Sequence, residues 1–220
     1  MEKNMISNPW DDDYKDNEKL PIYEPLWDML QLFLKSVSVK TVLDFGCGDG
    51  IYSFLMGKSG VNVLGIDIST KAIEKAKLHK ERYGDERCSF ICYNSIPDNL
   101  PSDSFDAVVM LNSYHCLINK ERSRIVAQIN RVLKKNGYLF TSVLALEDES
   151  YPRDDWKEIE KNTFDDGKGR IFHFFSSDEL SAEFKGLEIL DNTMLQNVHP
   201  EIGRKSALYV ITAKKTGTSF

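Results

Sequence analysis

No stretch of this 220-residue chain is long and apolar enough to cross a bilayer. The longest such run, residues 138–146, falls well short of the ~20 residues a spanning helix needs, and Met1-Glu2-Lys3-Asn4-Met5-Ile6 lacks the apolar segment of a secretion signal. A cytoplasmic protein without a membrane partner is expected. Cysteine is scarce: Cys47, Cys88, Cys92 and Cys116 show no C-x-x-C spacing, so no zinc or dithiol site is expected and no metal is assigned. Cys88 and Cys92 share one face of a strand by period two and read as small buried hydrophobes. Basic residues are outnumbered, 28 against 34 acidic for a net charge of −6, which argues against the broad cationic face that nucleic acid requires. A P-loop is missing too, because no Gly-Lys-Ser/Thr follows any glycine-rich turn.

What is present is the composition of a globular protein, 41% apolar and 28% charged, at a length that suits one domain. Residues 1–24 read as a lead-in, with the acidic run Asp11-Asp12-Asp13 among Trp10, Tyr14 and Tyr23; the domain proper is assigned to 25–220. From Pro25, the apolar positions Leu26, Met29, Leu30, Phe33, Leu34 and Val37 mark one face of a helix. Strand and helix patterns then alternate: strands at 41–45, 61–66, 88–93, 105–111 and 138–144, and helices at 51–59 and 70–83, the latter capped by Ser69 and ended by Gly84. A further helix carries Ile125, Ile129, Val132 and Leu133 on one face and is stopped by Asn136-Gly137. Such alternation specifies an α/β fold with right-handed crossovers and a parallel sheet. Residues 147–175 break the rhythm and read as a substrate-binding insertion or lid. A short helix opens at Ser176 with Glu179 completing a capping box, and strands at 186–191 and 207–213 end the pattern.

The most informative segment is Thr41-Val42-Leu43-Asp44-Phe45-Gly46-Cys47-Gly48-Asp49-Gly50, an apolar strand that meets an acid and then glycine at every second position. Glycine serves where the chain turns with positive φ or where a ligand lies on bare backbone. The dinucleotide fingerprint G-x-G-x-x-G fails, since its third position falls on Ile51. One strand later, Val63-Leu64-Gly65-Ile66-Asp67-Ile68-Ser69 places a carboxylate where it can accept from two neighbouring ribose hydroxyls. Cys92-Tyr93-Asn94-Ser95-Ile96 and Leu100-Pro101-x-x-x-Phe105-Asp106-Ala107-Val108-Val109 follow in order.

Over about residues 40–145 this series resembles the class I S-adenosylmethionine (SAM)-dependent methyltransferases. The resemblance implies a Rossmann-like, doubly wound, mostly parallel seven-stranded sheet with helices on both faces and one antiparallel edge. It implies SAM as cofactor and S-adenosyl-L-homocysteine as product. Asp44 would order the loop and meet the methionine amine; Gly46, Cys47, Gly48 and Gly50 would admit the ligand; Asp67 would hold ribose; Ile68 would pack on adenine; Asn94 and Ser95 would read its edge; Leu111 would complete the cofactor-facing set. Asn94 stands where Asp is common, keeping the acceptor oxygen but not the charge. Asp106 reads as structural.

Methyl transfer is an in-line displacement, so alignment and water exclusion are its main demands. His115, within Leu111-Asn112-Ser113-Tyr114-His115-Cys116, is the candidate base by position, and Asn112 and Tyr114 are candidate pocket walls. The Asp/Asn-Pro-Pro-aromatic motif of enzymes that methylate base amines is absent there. Tyr151, Trp156, Phe164, Phe172, His173, Phe174 and Phe175 beside Asp154, Asp155, Asp165 and Asp166 suggest either an aromatic wall with a negative rim, suited to a cationic or amine acceptor, or core filling at the sheet edge. Trp10, Tyr14 and Tyr23 are expected to close over the cofactor. The acceptor is read as a small molecule, with a protein substrate, or SAM binding without turnover, as alternatives.

Overall fold

The computed structural model describes residues 8–14, 22–83, 86–151, 154–199 and 203–216. Helix α1 (Glu24–Ser36) leads into an alternating series: β1 (Thr41–Phe45), α2 (Ile51–Lys58), β2 (Asn62–Asp67), α3 (Thr70–Tyr83), β3 (Cys88–Cys92), β4 (Phe105–Leu111), α4 (Asn119–Val132) and β5 (Leu133–Leu144). Three short strands follow, β6 (Lys157–Glu160), β7 (Thr163–Asp165) and β8 (Ile171–His173), then α5 (Ser177–Glu183), β9 (Leu187–His199) and β10 (Arg204–Lys215). The main sheet has seven strands in the order β3-β2-β1-β4-β5-β10-β9. The first five run parallel, and β10 is antiparallel to both of its neighbours. Strand order reverses between β1 and β4, and open α/β sheets bind their ligands at such a point, outside the carboxyl ends of the strands.

Period two explains how the sheet is covered. On β4, Val108 and Met110 join one buried cluster with Ile125 and Ile129 of α4 and Leu180 of α5, while Ala107, Val109 and Leu111 join the opposite one with Leu26, Leu30, Phe54 and Ile73 of α1, α2 and α3. Helices therefore cover both faces. The start of α3 is fastened as its sequence indicates, with Ser69 Oγ accepting from the Ala72 amide at 3.0 Å. Gly84, expected to end α3, lies outside the described residues.

Three expectations need correction. Helix α4 ends at Val132, not at Asn136-Gly137, and Leu133 already pairs with Phe105 on β4. The Asp106 carboxylate explains this, because it takes a 2.8 Å ion pair from Lys134 while also accepting from the Lys40 and Thr41 amides, which holds the start of β5 against β1 and β4. Those donors draw the Asp106 pKa down to about 2 despite the desolvation that opposes them, which accords with a structural role. Asn136, at φ 62°, then sits within β5 beside a register shift. Cys92 is exposed instead of buried, because β3 is the sheet edge and its end runs clear of the helices. The last two strands are longer than their apolar cores suggested, reaching 13 and 12 residues.

Residues 147–175 hold the three-stranded antiparallel sheet β6-β7-β8. It has a small core of its own, in which Leu144, Phe172 and Phe174 pack with Trp10, Tyr151, Trp156, Phe164 and Leu208. Among the described residues no helix is long and apolar enough to cross a membrane.

Candidate active site

The loop after β1 carries the electrostatics of the site. Asp44 ends up almost fully buried, and the Ser53 hydroxyl of α2 donates to it at 2.6 Å. Burial pushes its carboxyl up to about 7, against the Ser53 hydrogen bond, with the nearby Asp67 charge adding to the rise. Asp67, at the end of β2, divides its oxygens: one accepts from the Gly48 amide at 2.8 Å, the other from the Ser69 amide at 2.8 Å. Burial raises the Asp67 pKa, and these two amides work against that rise. Each oxygen keeps a lone pair for a further donor, so clamping the loop leaves room for a diol.

All three loop glycines have positive φ, at 76°, 55° and 81° for Gly46, Gly48 and Gly50. Each also meets a different neighbour within the protein. A Cβ on Gly46 would lie 2.2 Å from Ser113 Cβ, and one on Gly50 would lie 2.8 Å from the Phe90 ring, so both glycines are required by packing within the protein. At Gly48 the neighbour is the Tyr14 hydroxyl, 2.5 Å from such a Cβ. Cys47 turns its side chain into the core between Phe54 and Phe90, which leaves only its backbone on the loop surface. Leu111 is likewise a core residue. Ile68 and Tyr93, at the ends of β2 and β3, are about half exposed, an open apolar pair beside a buried acid that suits a flat base. Asn94 is exposed next to them, and Ser95 is buried.

The lead-in packs across this loop as a 3-10 turn, Pro9–Tyr14. Asn8 Nδ2 donates to the Ile68 carbonyl at 2.8 Å, and Asp11 accepts from the Ser69 hydroxyl at 2.6 Å. Tyr14 is half-buried over Gly48, and that desolvation, with Asp67 and Asp49 nearby, drives its phenol pKa far up, so the ring stays protonated. Trp10 faces the other way and meets Phe172 edge-on at 5.7 Å. Arg170 closes this side: it pairs with Asp166 at 2.7 Å and Asp13 at 3.2 Å, and its guanidinium lies 5.8 Å from the centroids of both Trp10 and Phe172. Tyr23 takes no part in the cover; its amide donates to the Tyr52 hydroxyl over α2.

Beyond the lead-in is a cavity of about 210 Å³ whose walls include Trp10, Asn112, His115, Asp148, Tyr151 and Phe172. Asn112 and Ser113, both at the end of β4, connect the two halves of the site: Ser113 abuts Gly46, and Asn112 faces this cavity. Asn112 holds its left-handed backbone (φ 53°) by exchanging hydrogen bonds with Ser142, 2.9 and 3.0 Å long. His115 stacks near Phe172 and is 3% exposed, and its Nδ1 has no hydrogen-bond partner. Burial pushes the imidazole down to about 3, so the ring is neutral. That makes His115 a hydrogen-bonding wall and a poor proton sink, a weaker role than the general base expected from its position.

The remaining predicted wall residues lie elsewhere. Tyr114 is fully buried on the opposite side, donating to Glu183 at 2.7 Å, and Glu183 also accepts from Arg122 at 3.0 Å. His173 joins the same network. Burial, with the Arg122 charge beside it, holds its pKa near 3, so the neutral ring donates from Nε2 to Glu179 (2.9 Å) and accepts at Nδ1 from Thr163 (2.7 Å). Glu179 therefore bonds to His173, while Ser176 caps α5 alone by accepting the Glu179 amide at 3.2 Å. A polar cleft of about 720 Å³ opens here, lined by these already paired groups and distant from the glycine loop. Phe174 and Phe175 are core, and Phe172 is both a buried core residue and, with Tyr151, part of the cavity lining.

The methyltransferase domain family model matches residues 43–141, the span that contains the loop, Asp67 and the end of β4. Over that stretch the chain carries the domain of the class I SAM-dependent methyltransferases. A SAM-dependent methyltransferase from Methanosarcina mazei is 26% identical, superposes with a TM-score of 0.69, and is matched over 90% of this chain and 99% of its own. Among curated relatives, the ubiquinone biosynthesis O-methyltransferase of Dechloromonas aromatica is 33% identical over 59% of this chain, and that of Chromobacterium violaceum 31% over 67%. The match spans 57% and 62% of those two proteins. The 1,6-didemethyltoxoflavin-N1-methyltransferase of Burkholderia thailandensis, crystallised with S-adenosylhomocysteine, shares the fold at TM-score 0.66 and 19% identity over 87% of this chain and 77% of that one. SAM is the cofactor of this methyltransferase family. The buried Asp67, the open apolar pair Ile68 and Tyr93, and the bare loop backbone fit an adenosyl group that carries no phosphate.

Proposed function

We propose that this methyltransferase binds SAM between the glycine loop and the lead-in and transfers its methyl group to a small-molecule acceptor held in the 210 Å³ cavity. One observation carries the reading: Asp67 is buried and bound to the loop amide of Gly48, and the cavity is lined by Asn112, whose neighbour Ser113 abuts the same loop at Gly46. In this reading Asp67 accepts the ribose hydroxyls, Ile68 and Tyr93 flank the adenine, Asn94 and Ser95 meet its edge, and Asp44 faces the cationic methionine end through the loop. The backbone of Gly46, Cys47, Gly48 and Gly50 shapes the floor, with Leu111 beneath it.

When bound, the cofactor supplies an electrophilic methyl whose bond to sulfur breaks as an acceptor lone pair forms the new bond to carbon. The protein's own contribution is alignment and the exclusion of water. Tyr14 covers the loop, Trp10 and Arg170 close the acceptor side, and His115 offers a neutral imidazole to the acceptor's polar group. Residues 147–175 act as the acceptor-binding insertion and residues 8–14 of the lead-in as the cover on a domain assigned to 25–220; residues 1–7 and 15–21 of the lead-in lie outside the described residues. The modest size of the cavity supports a small acceptor over a protein side chain, and the four free cysteines support a reducing, cytoplasmic setting.

The test has two parts. Calorimetry with S-adenosylhomocysteine should register binding, and methyl-labelled SAM with a small-molecule cell extract should yield a labelled product. Absence of heat would remove the cofactor reading, and heat without labelled product would leave a binding protein.

A further inference from the structure

The lead-in rests on both halves of the site at once. We infer that, given the methyltransferase reading above, residues 8–14 are one gate shared by cofactor and acceptor, so that contacts on the acceptor side govern how fast the cofactor enters and leaves.

On the cofactor side, the segment sits on the two residues whose amides hold Asp67. Gly48 and Ser69 donate those amides, Tyr14 sets its hydroxyl against the bare face of Gly48, and Asp11 accepts from the Ser69 hydroxyl at 2.6 Å. Asn8 adds a 2.8 Å hydrogen bond to the Ile68 carbonyl. Asp67 is left 9% exposed, so its remaining lone pairs are out of reach of a ribose while the segment is seated.

On the acceptor side, the same segment meets the insertion. Trp10 packs edge-on against Phe172 at 5.7 Å, Tyr151 and Trp156 cover that ring at 5.1 and 5.0 Å, and Phe172 is left 3% exposed. Asp13 pairs with Arg170 at 3.2 Å, and the guanidinium lies 5.8 Å from the Trp10 ring centroid. The rings are packed on one another, so the mouth of the cavity is shut together with the cofactor loop.

Periodicity explains why one short segment holds both. In a 3-10 turn, side chains three apart share a face. Asn8, Asp11 and Tyr14 form the face on the cofactor loop, and Trp10 and Asp13 the face on the insertion. The Asp11 amide closes the first turn on the Asn8 carbonyl at 2.9 Å. A turn fastened this way on two faces leaves both when it lifts, exposing Asp67 and Phe172 together. Its partly exposed ion pair and cation–π contact are individually weak, so it opens without unfolding the domain.

S-adenosylhomocysteine is the probe, with its association and dissociation rates read by stopped-flow tryptophan fluorescence. A Cβ on Gly169 would lie 3.8 Å from that of Pro9, within the span of a disulfide. In Pro9→Cys/Gly169→Cys, oxidation therefore ties the segment to the insertion without touching the cofactor loop. Exchange of S-adenosylhomocysteine should slow at least about tenfold, and dithiothreitol should restore it in the same sample. Arg170→Ala, which loosens only the acceptor side, should speed association and dissociation alike, about fivefold each, and leave the dissociation constant within about twofold. Equal exchange by the oxidised and reduced pair overturns the gate. So does faster dissociation alone in Arg170→Ala, which marks a lost contact and not a freed entrance. Failure of the wild type to bind at all removes the parent reading, and the gate with it.

Discussion

The Ser53 hydroxyl sits 2.6 Å from the Asp44 carboxylate, and both side chains are sealed from solvent. This single donor does not offset the desolvation of a buried charge, so the Asp44 pKa rises to about 7. A carboxyl whose folded pKa exceeds its unfolded value stabilises the protein below the unfolded value and loses that contribution as pH rises through the folded one. Cofactor-free protein should therefore lose stability through Asp44 between about pH 4 and 7. Asp44→Asn should melt higher than wild type at pH 8 without cofactor, by several degrees if about 1 to 2 kcal/mol is recovered. With saturating SAM the order should reverse, because the cationic ligand favours the ionised acid. Melting curves at pH 5 and 8, with and without SAM, measure both arms.

Buried neutral imidazoles impose the opposite slope. His115 and His173 both have pKa values near 3, so the unfolded chain binds protons that the folded one refuses, and stability falls as pH drops from about 6.5 toward 3. Each ring contributes up to about 1.4 kcal/mol per pH unit. Urea titrations of His115→Phe between pH 6 and 4 should give a shallower acid slope than wild type. Methyl-transfer rates, in turn, should lack an inflection near the ordinary histidine pKa.

Asp67 does two jobs, and its variants should separate them. Asp67→Ala removes a charged acceptor from the ligand and also orphans the Gly48 and Ser69 amides. Cofactor affinity should fall by roughly 1.5 to 3 kcal/mol, and the melting temperature should fall as well. Asp67→Asn can keep one amide bond through its carbonyl oxygen and should recover part of the stability but little of the affinity. Calorimetry and thermal melts on the same samples make the comparison.

Two loop glycines face different neighbours, which makes their substitutions diagnostic. Gly48→Val drives a side chain into the Tyr14 hydroxyl at a left-handed position, whereas Gly46→Ala collides with Ser113 on β4. Adding Tyr14→Ala should restore part of the stability lost in Gly48→Val and none of that lost in Gly46→Ala. A double-mutant cycle by chemical denaturation reads the coupling.

Arg170 joins the lead-in to the insertion through Asp13 and Trp10. Partly exposed ion pairs and cation–π contacts are each worth about 0.2 to 1 kcal/mol, so Arg170→Ala should weaken this closure without unfolding the domain. Limited proteolysis around residues 10–14 should accelerate in the variant. SAM affinity should drop by less than it does in Asp67→Ala.

Local chemistry made much of this protein readable in one dimension. The strand-to-helix alternation, the carboxyl-end positions of Asp44 and Asp67, and the Ser69 cap follow from period, turn residues and short-range hydrogen bonding, all of which act between near neighbours in the chain. The alternation also accounts for the parallel sheet and so for the place of the cleft. Pairings across long separations were not readable. Gly46 is glycine because Ser113 abuts it, Trp10 reaches Phe172, and Asp13 finds Arg170 over 157 positions. In the run Phe172 to Phe175, three phenylalanines look alike in sequence, yet Phe172 also lines the cavity while Phe174 and Phe175 are wholly core, and His173 between them joins a polar network. The sequence alone determined the sheet and the glycine loop, because these depend on periodicity and backbone stereochemistry; tertiary packing decided which charges cancel and which rings are covered, because burial and pairing depend on what the rest of the chain brings alongside.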